Sequence, residues 1–355
     1  MTDFASTLFA PLDRVLITGG AGFIGSHLTE ALLARGYDVT VLDDLSTGHL
    51  GNLRNVLGSP RFRFVAGSVT DAADVEPLIA DCTTVFHLAA AVGVERIVND
   101  PLGGMETNVI GTHEVLRLAQ RHRRKVLIAS TSEVYGKSMR PAFQEDDDRI
   151  MGPTSRARWS YAESKALDEF LGLAYHRQAG LPVVVFRLFN TVGQRQSGQY
   201  GMVVPRFVGQ ALRGEPLAVY GDGEQSRCFC DVQDAVRAIV GLAECRAAVG
   251  QVFNIGSTYE ISIRELAFRV LRIVAEYLGE AADEVAFEKR LRLVPYDQAY
   301  GPGFEDMRHR APDIARITET IGWQPLMSLD ETLSRVCVAL DQSHTAAMFA
   351  ERAAA

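Results

Sequence analysis

The chain has 355 residues, 47% of them hydrophobic and 23% charged, with a formal net charge of -8. This is the composition of an ordinary globular protein with a large core, in two lobes or one elaborated domain, and the acidic balance argues against a nucleic-acid partner. No apolar run reaches the ~18 residues of a membrane span, and the chain does not begin with a charged segment leading into an apolar one. No membrane association and a cytoplasmic location are therefore expected.

Residues 1–12 read as a loose leader. Arg14 to Thr18 then reads as a buried strand, followed at once by Gly19-Gly20-Ala21-Gly22-Phe23-Ile24-Gly25 and an amphipathic helix to about Arg35. Glycines at 19, 22 and 25 allow a tight turn, close backbone approach to a pyrophosphate, and close packing of helix on strand. Strand and helix on either side are the context that gives a glycine-rich turn this meaning. A second strand, Asp38 to Leu42, leads into Asp43-Asp44, at the distance where an acid meets an adenosine ribose. The segment Asp43 to Gly48 has no basic residue to receive a 2'-phosphate, so NAD is favoured over NADP.

The alternation continues with a strand Phe62–Ala66, a helix near Ala72–Ala80, a strand Thr84–Leu88, a helix near Gly104–Arg121 and a strand Lys125–Ala129. The basic run Arg121 to Lys125 reads as a solvated helix C-terminus. A helix from about Arg158 to Gln178 and a strand Pro182–Leu188 complete an α/β, doubly wound parallel Rossmann sheet over residues 12–188. Within that last helix, Tyr161 and Lys165 are four apart and share a face. There an ammonium can lower the pKa of a phenol and prepare it as a base.

Residues 228–256 read as a helix and strand returning to the first domain. A smaller, interleaved C-terminal substrate lobe is expected from 189–227 and 257–345, over the carboxyl ends of the strands. The five cysteines (Cys82, Cys228, Cys230, Cys245, Cys337) are odd in number and scattered, as for free thiols in a reducing compartment. Cys228-x-Cys230 has no second pair to complete four ligands, so no metal is expected.

Taken together, the motifs resemble those of an extended short-chain dehydrogenase/reductase of the nucleotide-sugar epimerase, dehydratase and decarboxylase group. The segments are T-G-G-A-G-F-I-G-S-H-L (18 to 28), L-D-D-L-S-T-G (42 to 48), H-L-A-A (87 to 90), N-V-I-G-T (108 to 112), S-T-S-E-V-Y-G (130 to 136), Y-A-E-S-K (161 to 165), R-L-F-N-T-V-G (187 to 193), Y-G-D-G-E-Q-S-R (220 to 227) and F-N-I-G-S (253 to 257). They run in family order from about Arg14 to Pro325.

The resemblance implies NAD as cofactor. It would be held by Gly19, Gly22, Phe23, Ile24 and Gly25, by Asp43 and Asp44, by Ser68 and Val69, by Leu88, Ala89 and Ala90, and by Asn108, Tyr161 and Lys165. Ser68 is a departure, since the family usually has an aspartate there near the adenine. Thr131 and Tyr161 would face the sugar 4-hydroxyl, with Tyr161 as base and Lys165 bonded to the nicotinamide ribose, so that hydride leaves C4 for NAD. Ser132, Asn190, Arg195, Arg227 and Arg310 would hold the nucleotide-diphosphate sugar, a UDP-sugar by preference. A homodimer through the helix bearing Tyr161 and its neighbour is implied in the same way.

Three fates are open to the 4-keto sugar. Rotation and hydride return give epimerisation, loss of water across C5 and C6 gives dehydration, and a β-keto acid loses CO2. Glu133 bears on the choice, because simple epimerases that the chain resembles have a small residue there, whereas S-T-S-E resembles decarboxylases and dehydratases. Ser132 stands where dTDP-glucose dehydratases carry an aspartate. The tail Glu305-Asp306-Met307-Arg308-His309-Arg310-Ala311-Pro312 resembles the H-R-x-P segment of UDP-glucuronate decarboxylases, and Arg310 could pair with a substrate carboxylate in bidentate fashion. The R-W-S-Y lead into Tyr161 is similar to that subgroup as well. A UDP-hexuronate, decarboxylated or 4-epimerised, is the leading expectation, with a UDP-glucose/galactose-type 4-epimerase or an NDP-sugar 4,6-dehydratase as alternatives. A non-catalytic NAD-binding regulator would have no need of Thr131, Tyr161 and Lys165 together.

Overall fold

The computed structural model describes residues 13–93, 100–198, 202–300 and 305–354; the leader expected at residues 1–12 lies outside them. Seven strands form one parallel sheet: β1 (Arg14–Thr18), β2 (Asp38–Asp43), β3 (Phe62–Ala66), β4 (Thr84–His87), β5 (Lys125–Thr131), β6 (Val183–Leu188) and β7 (Val252–Ile255). Their order across the sheet is β7-β6-β5-β4-β1-β2-β3. The central strands are continuous apolar runs because both faces are covered. The main helices are α1 (Phe23–Ala34), α2 (Ala72–Asp81), α3 (Gly111–His122), α4 (Ser160–Ala179), α5 (Val203–Leu212), α6 (Val232–Glu244), α7 (Ile263–Leu278) and α8 (Leu329–Ala354).

Leu28 and Leu32 of α1 and Val236 and Ile239 of α6 share one core with one sheet face, while Val75 and Ile79 of α2 and Val115 and Leu116 of α3 fill the other. The order in which strands are added reverses between β1 and β4, which run parallel, and a crevice opens at their carboxyl ends. A third core, built from Phe207 of α5, Leu266 and Val270 of α7, and Leu333 and Val336 of α8, belongs to a separate lobe beside the crevice. Ile317 and Trp323, from late in the chain, pack into the sheet core instead, and Trp323 Nε1 donates to the carbonyl of Asp234 at 3.0 Å.

Some elements differ in extent from the sequence reading. β5 runs on to Thr131, because Ser130 and Thr131 pair with Arg187 and Leu188 of β6. The helix expected near Gly104 begins at Pro101, with Asp100 accepting from Gly103 N at 3.0 Å, and passes through a π turn, Glu106–Ile110, before α3. The turn exists for Asn108, which is buried and ties two segments together: it accepts from Ala91 N at 2.8 Å and donates to Ser164 Oγ at 3.0 Å. α4 itself starts at Ser160, after a 3-10 turn over Ala157–Trp159.

Candidate active site

The crevice and the lobe enclose a cleft of about 460 Å³. Gly19, Gly22, Phe23, Ile24, Gly25, Asp43, Asp44, Val69, Leu88, Ala89 and Ala90 line its sheet side, and Thr131, Ser132, Glu133, Tyr161, Lys165, Asn190, Arg195, Arg227 and Arg310 line the rest. Two of the residues expected to hold the cofactor do not line it. Ser68 turns toward its own loop, with its hydroxyl 2.9 Å from that of Thr70, and Asn108 is occupied in bracing Ala91 and Ser164.

The turn after β1 is built around its glycines. Gly19 has a positive φ of +74°, and a Cβ there would lie 2.7 Å from Ala89 N. A Cβ on Gly25 would lie 2.2 Å from Gly19 O, whereas one on Gly22 would approach only that same oxygen, at 3.2 Å. No side chain caps the start of α1, so its first N–H groups face the cleft as an anion site. The Asp43 carboxylate, at the end of β2, accepts from Ala21 N at 2.9 Å and Leu45 N at 2.8 Å, and burial raises its pKa despite these bonds. A cradle open at Gly22, an uncapped helix start and a carboxylate one strand over fit a dinucleotide with a free ribose diol.

At the other end, β5 delivers Thr131 and the following 3-10 turn delivers Glu133, while α4 brings Tyr161 and Lys165 to the same place. The Thr131 hydroxyl stands beside the Tyr161 phenol. The expected lowering of the phenol pKa by Lys165 is not what the structure has. Burial pushes the Tyr161 phenol up, the nearby Glu133 carboxylate adds to this, and the Thr131 hydroxyl and Arg310 oppose it less strongly. The Lys165 ammonium is directed at Asp168 Oδ2, 2.6 Å away, which offsets its charge.

Glu133 is held by two guanidinium groups, Arg158 Nη1 at 2.5 Å and Arg310 Nη1 at 3.5 Å. Burial opposes ionisation of its carboxyl, but Arg158 and Arg310 outweigh it and keep the pKa below the usual value. Arg310 also donates to Asn190 Oδ1, whose backbone has a positive φ of 31° and whose amide donates to Cys228 O at 3.0 Å. Arg227 pairs with Asp306 at 2.9 Å, and Asp306 also accepts from the Tyr296 hydroxyl at 3.2 Å. Arg195 is turned toward α1, where it meets Glu30 at 2.6 Å and Ser26 at 3.2 Å.

Sequence reasoning did not single out several residues of this cleft. Asp306 and Tyr220 stood inside motifs read for other members, and Arg158 stood in the R-W-S-Y lead. Arg206 and Tyr300 carry no signal of spacing. The Arg206 guanidinium lies 3.8 Å from the Tyr220 ring centroid, with buried Nε and Nη1 atoms that find no hydrogen-bond partner. Four guanidinium groups (Arg158, Arg206, Arg227, Arg310) thus face two carboxylates (Glu133, Asp306) in the lobe half of the cleft. That excess suits a ligand with several negative charges.

A Rossmann sheet with a Tyr-x-x-x-Lys pair at its crevice and an arginine-rich lobe opposite defines a short-chain dehydrogenase/reductase of the extended, nucleotide-sugar type. Residues 16–336 match the family model described as GDP-mannose 4,6 dehydratase. The chain belongs to this family of nucleotide-sugar dehydratases, epimerases and decarboxylases. It is 40% identical over 321 residues to UDP-N-acetyl-alpha-D-glucosaminuronate decarboxylase of Bacillus cytotoxicus, covering 90% of this chain and 95% of that one. It is 36% identical over 325 residues to UDP-glucuronic acid decarboxylase 1 of Xenopus tropicalis, covering 91% and 70%. Among solved structures, UDP-glucuronic acid 4-epimerase from Bacillus cereus, in complex with UDP-4-deoxy-4-fluoro-glucuronic acid and NAD, superimposes with a TM-score of 0.80 at 28% identity, covering 93% and 99%.

Proposed function

We propose that the protein is an NAD-dependent decarboxylase of a UDP-hexuronate, working through a 4-keto sugar. The observation that carries this reading is the convergence of Arg158 and Arg310 on one carboxylate, Glu133, beside Tyr161. A neutral hydroxymethyl group at C5 has no use for two buried guanidinium groups, whereas a C5 carboxylate competes with Glu133 for them.

NAD would lie along the Gly19–Gly25 turn with Asp43 at its adenosine ribose, and when bound it supplies the acceptor for the C4 hydride. Tyr161 takes the proton of the 4-hydroxyl while Thr131 orients that oxygen. The resulting β-keto acid loses CO2, and the Thr131 and Tyr161 hydroxyls hold the enolate oxygen that develops at C4. Glu133 stands beside C5, where a proton must be managed after CO2 has left. Arg227, Arg206 and the Asn190 turn face the diphosphate, and Ser132 and Arg195 border it.

A second reading, 4-epimerisation of the same hexuronate, is supported by the likeness to UDP-glucuronic acid 4-epimerase and needs no acid or base beyond Tyr161. Incubation with UDP-glucuronate and its N-acetylated 2-amino counterpart, followed by NMR of the sugar, separates the two. Decarboxylation gives CO2 and a pentose, whereas epimerisation keeps the carboxylate and inverts C4. Glu133→Gln is expected to reduce formation of the pentose by about 100-fold or more, the usual scale of general acid–base loss, and to spare epimerisation; undiminished pentose formation would remove Glu133 from the chemistry.

The functional unit in this reading is a cytoplasmic homodimer. Leu102, Met105 and Ile110 on the segment before α3 and Leu167 and Phe170 on α4 are exposed apolar side chains on neighbouring helices. Five free thiols suit a reducing compartment. No helix among the described residues is long and apolar enough to cross a membrane.

A further inference from the structure

Lys165 does not present a lone charge to the cleft. Its ammonium donates to Asp168 Oδ2 at 2.6 Å, and the two side chains are 2% and 0% exposed. The other oxygen of Asp168, Oδ1, is buried without a hydrogen-bond partner. A buried carboxylate satisfied on one side only is costly and calls for a reason. Thr112 of α3 stands beside it, and the Thr112 hydroxyl meets His87 Nε2 of β4 at 2.9 Å. Burial first, and the Lys165 charge second, push the His87 imidazole down to about 3, so this neighbour is neutral. Glu169, the other acid on this stretch of α4, is engaged by Arg187 at 2.6 Å. The charge that balances the Lys165 ammonium is therefore the Asp168 carboxylate.

The phenol of Tyr161 lies one helical turn away. The charged groups that act on it are Glu133 after β5, Asp168 of α4 and Arg310 from the C-terminal segment, with the Thr131 hydroxyl beside it; Lys165 stands one turn further along α4. An ammonium paired with a carboxylate acts on a neighbour as a dipole, whose field falls off faster than that of a lone cation. We propose that Asp168 is a positioning residue for Lys165: it holds the ammonium in a paired rest position, so that the Tyr161 phenol keeps its proton until a ligand bearing a vicinal diol competes for the ammonium.

The proposal rests on Tyr161 being the base, and it makes the activation of that base a consequence of cofactor docking. A base armed only with its cofactor in place cannot abstract protons in the empty cleft. The ammonium has three N–H donors and gives one to Asp168 Oδ2, so ribose hydroxyls can accept the others and draw it toward the cleft while the carboxylate remains its counter-charge. The phenol then faces an ammonium that lies nearer to it and farther from its counter-charge.

The test is a titration of the protein labelled with [13Cζ]tyrosine, followed by NMR with and without NAD and with no sugar present. The Tyr161 signal is assigned by its loss in Tyr161→Phe. Asp168→Asn is expected to lower the Tyr161 midpoint by about one pH unit, a tenfold rise in phenolate at fixed pH. Asp168→Glu, which keeps the charge, is expected to stay near the wild-type value. In a Lys165→Met background Asp168→Asn is expected to shift the midpoint by less than in the wild-type background, because only the carboxylate's own charge is then removed and no ammonium is set free to approach the phenol. An unchanged midpoint in Asp168→Asn, or an equal shift in both backgrounds, would overturn the proposal. If Asp168→Asn does not fold by its circular-dichroism melt, Asp168→Ser, which admits water to the ammonium, gives the same comparison. Failure of the underlying reading is separate: Tyr161→Phe would then turn over UDP-glucuronate at the wild-type rate, whatever the titration shows.

Discussion

Gly22 and Gly25 are three residues apart in one turn, yet the space around them assigns them different work. A Cβ on Gly25 would sit 2.2 Å from Gly19 O and 2.7 Å from Gly20 Cα, backbone atoms that cannot move without opening the turn against β1. A Cβ on Gly22 meets protein only at 3.2 Å and otherwise faces the cleft. Gly25→Ala is therefore expected to cost about 1–3 kcal/mol of stability, as overpacking does. Gly22→Ala is expected to cost under about 1 kcal/mol and to weaken NAD by at least about tenfold, because the added methyl occupies the line of approach to the pyrophosphate. Thermal melts and calorimetric titration of NAD separate the two effects; a Gly22→Ala protein with unaltered NAD affinity would show that the dinucleotide does not cross this turn. The glycine spacing made this part of the site legible, because backbone requirements are written locally. The partners of Glu133 were less legible, since Arg158 and Arg310 reach it from 25 and 177 residues away.

At the scale of elements, the sheet was readable because each parallel strand is a short apolar run between punctuating turns. Boundaries were read less well wherever a tertiary partner extends or breaks an element. β5 gains Ser130 and Thr131 from pairing with β6, and the π turn before α3 answers to Asn108. β4 carries a further consequence that its sequence alone does not state. His87 at its end is fully buried between Thr18 Oγ1 at 2.8 Å and Thr112 Oγ1 at 2.9 Å, and burial pushes its pKa from 6.5 to about 3. A folded-state pKa below the unfolded one means that the unfolded chain binds the proton first. Stability is therefore full above pH 6.5 and falls as pH drops from 6.5 toward 3, by about 1.4 kcal/mol per unit from this one group. Urea unfolding at pH 7 and pH 5 should show a loss in the wild type that exceeds the loss in His87→Gln by about 2 kcal/mol. Equal losses would mean that His87 takes up its proton in the folded protein.

For the whole molecule, α4 joins the chemistry to the outer surface. Its inner face carries Tyr161, Lys165 and Asp168, all buried, while Glu163, Leu167 and Phe170 form the stripe that looks outward. Phe170 is 59% exposed and Leu102, on the neighbouring segment, 70%. Apolar side chains this open, on adjacent helices, are costly in water, and the homodimer proposed above would bury them against the same helices of a second copy. A two-fold contact of this kind would also press α4 onto β5 and so support the spacing between Thr131 and Tyr161. The wild type is then expected to sediment at about twice its chain mass of 38.8 kDa, and Phe170→Glu combined with Leu102→Glu should sediment as a monomer. Because the substituted side chains do not touch the cleft, NAD should still bind to the monomer. Turnover should fall, since Tyr161 would then be carried on a helix with one side unsupported. A wild type that sediments as a monomer would remove the second copy from the account, and a monomeric variant with full turnover would show that α4 holds its position without one.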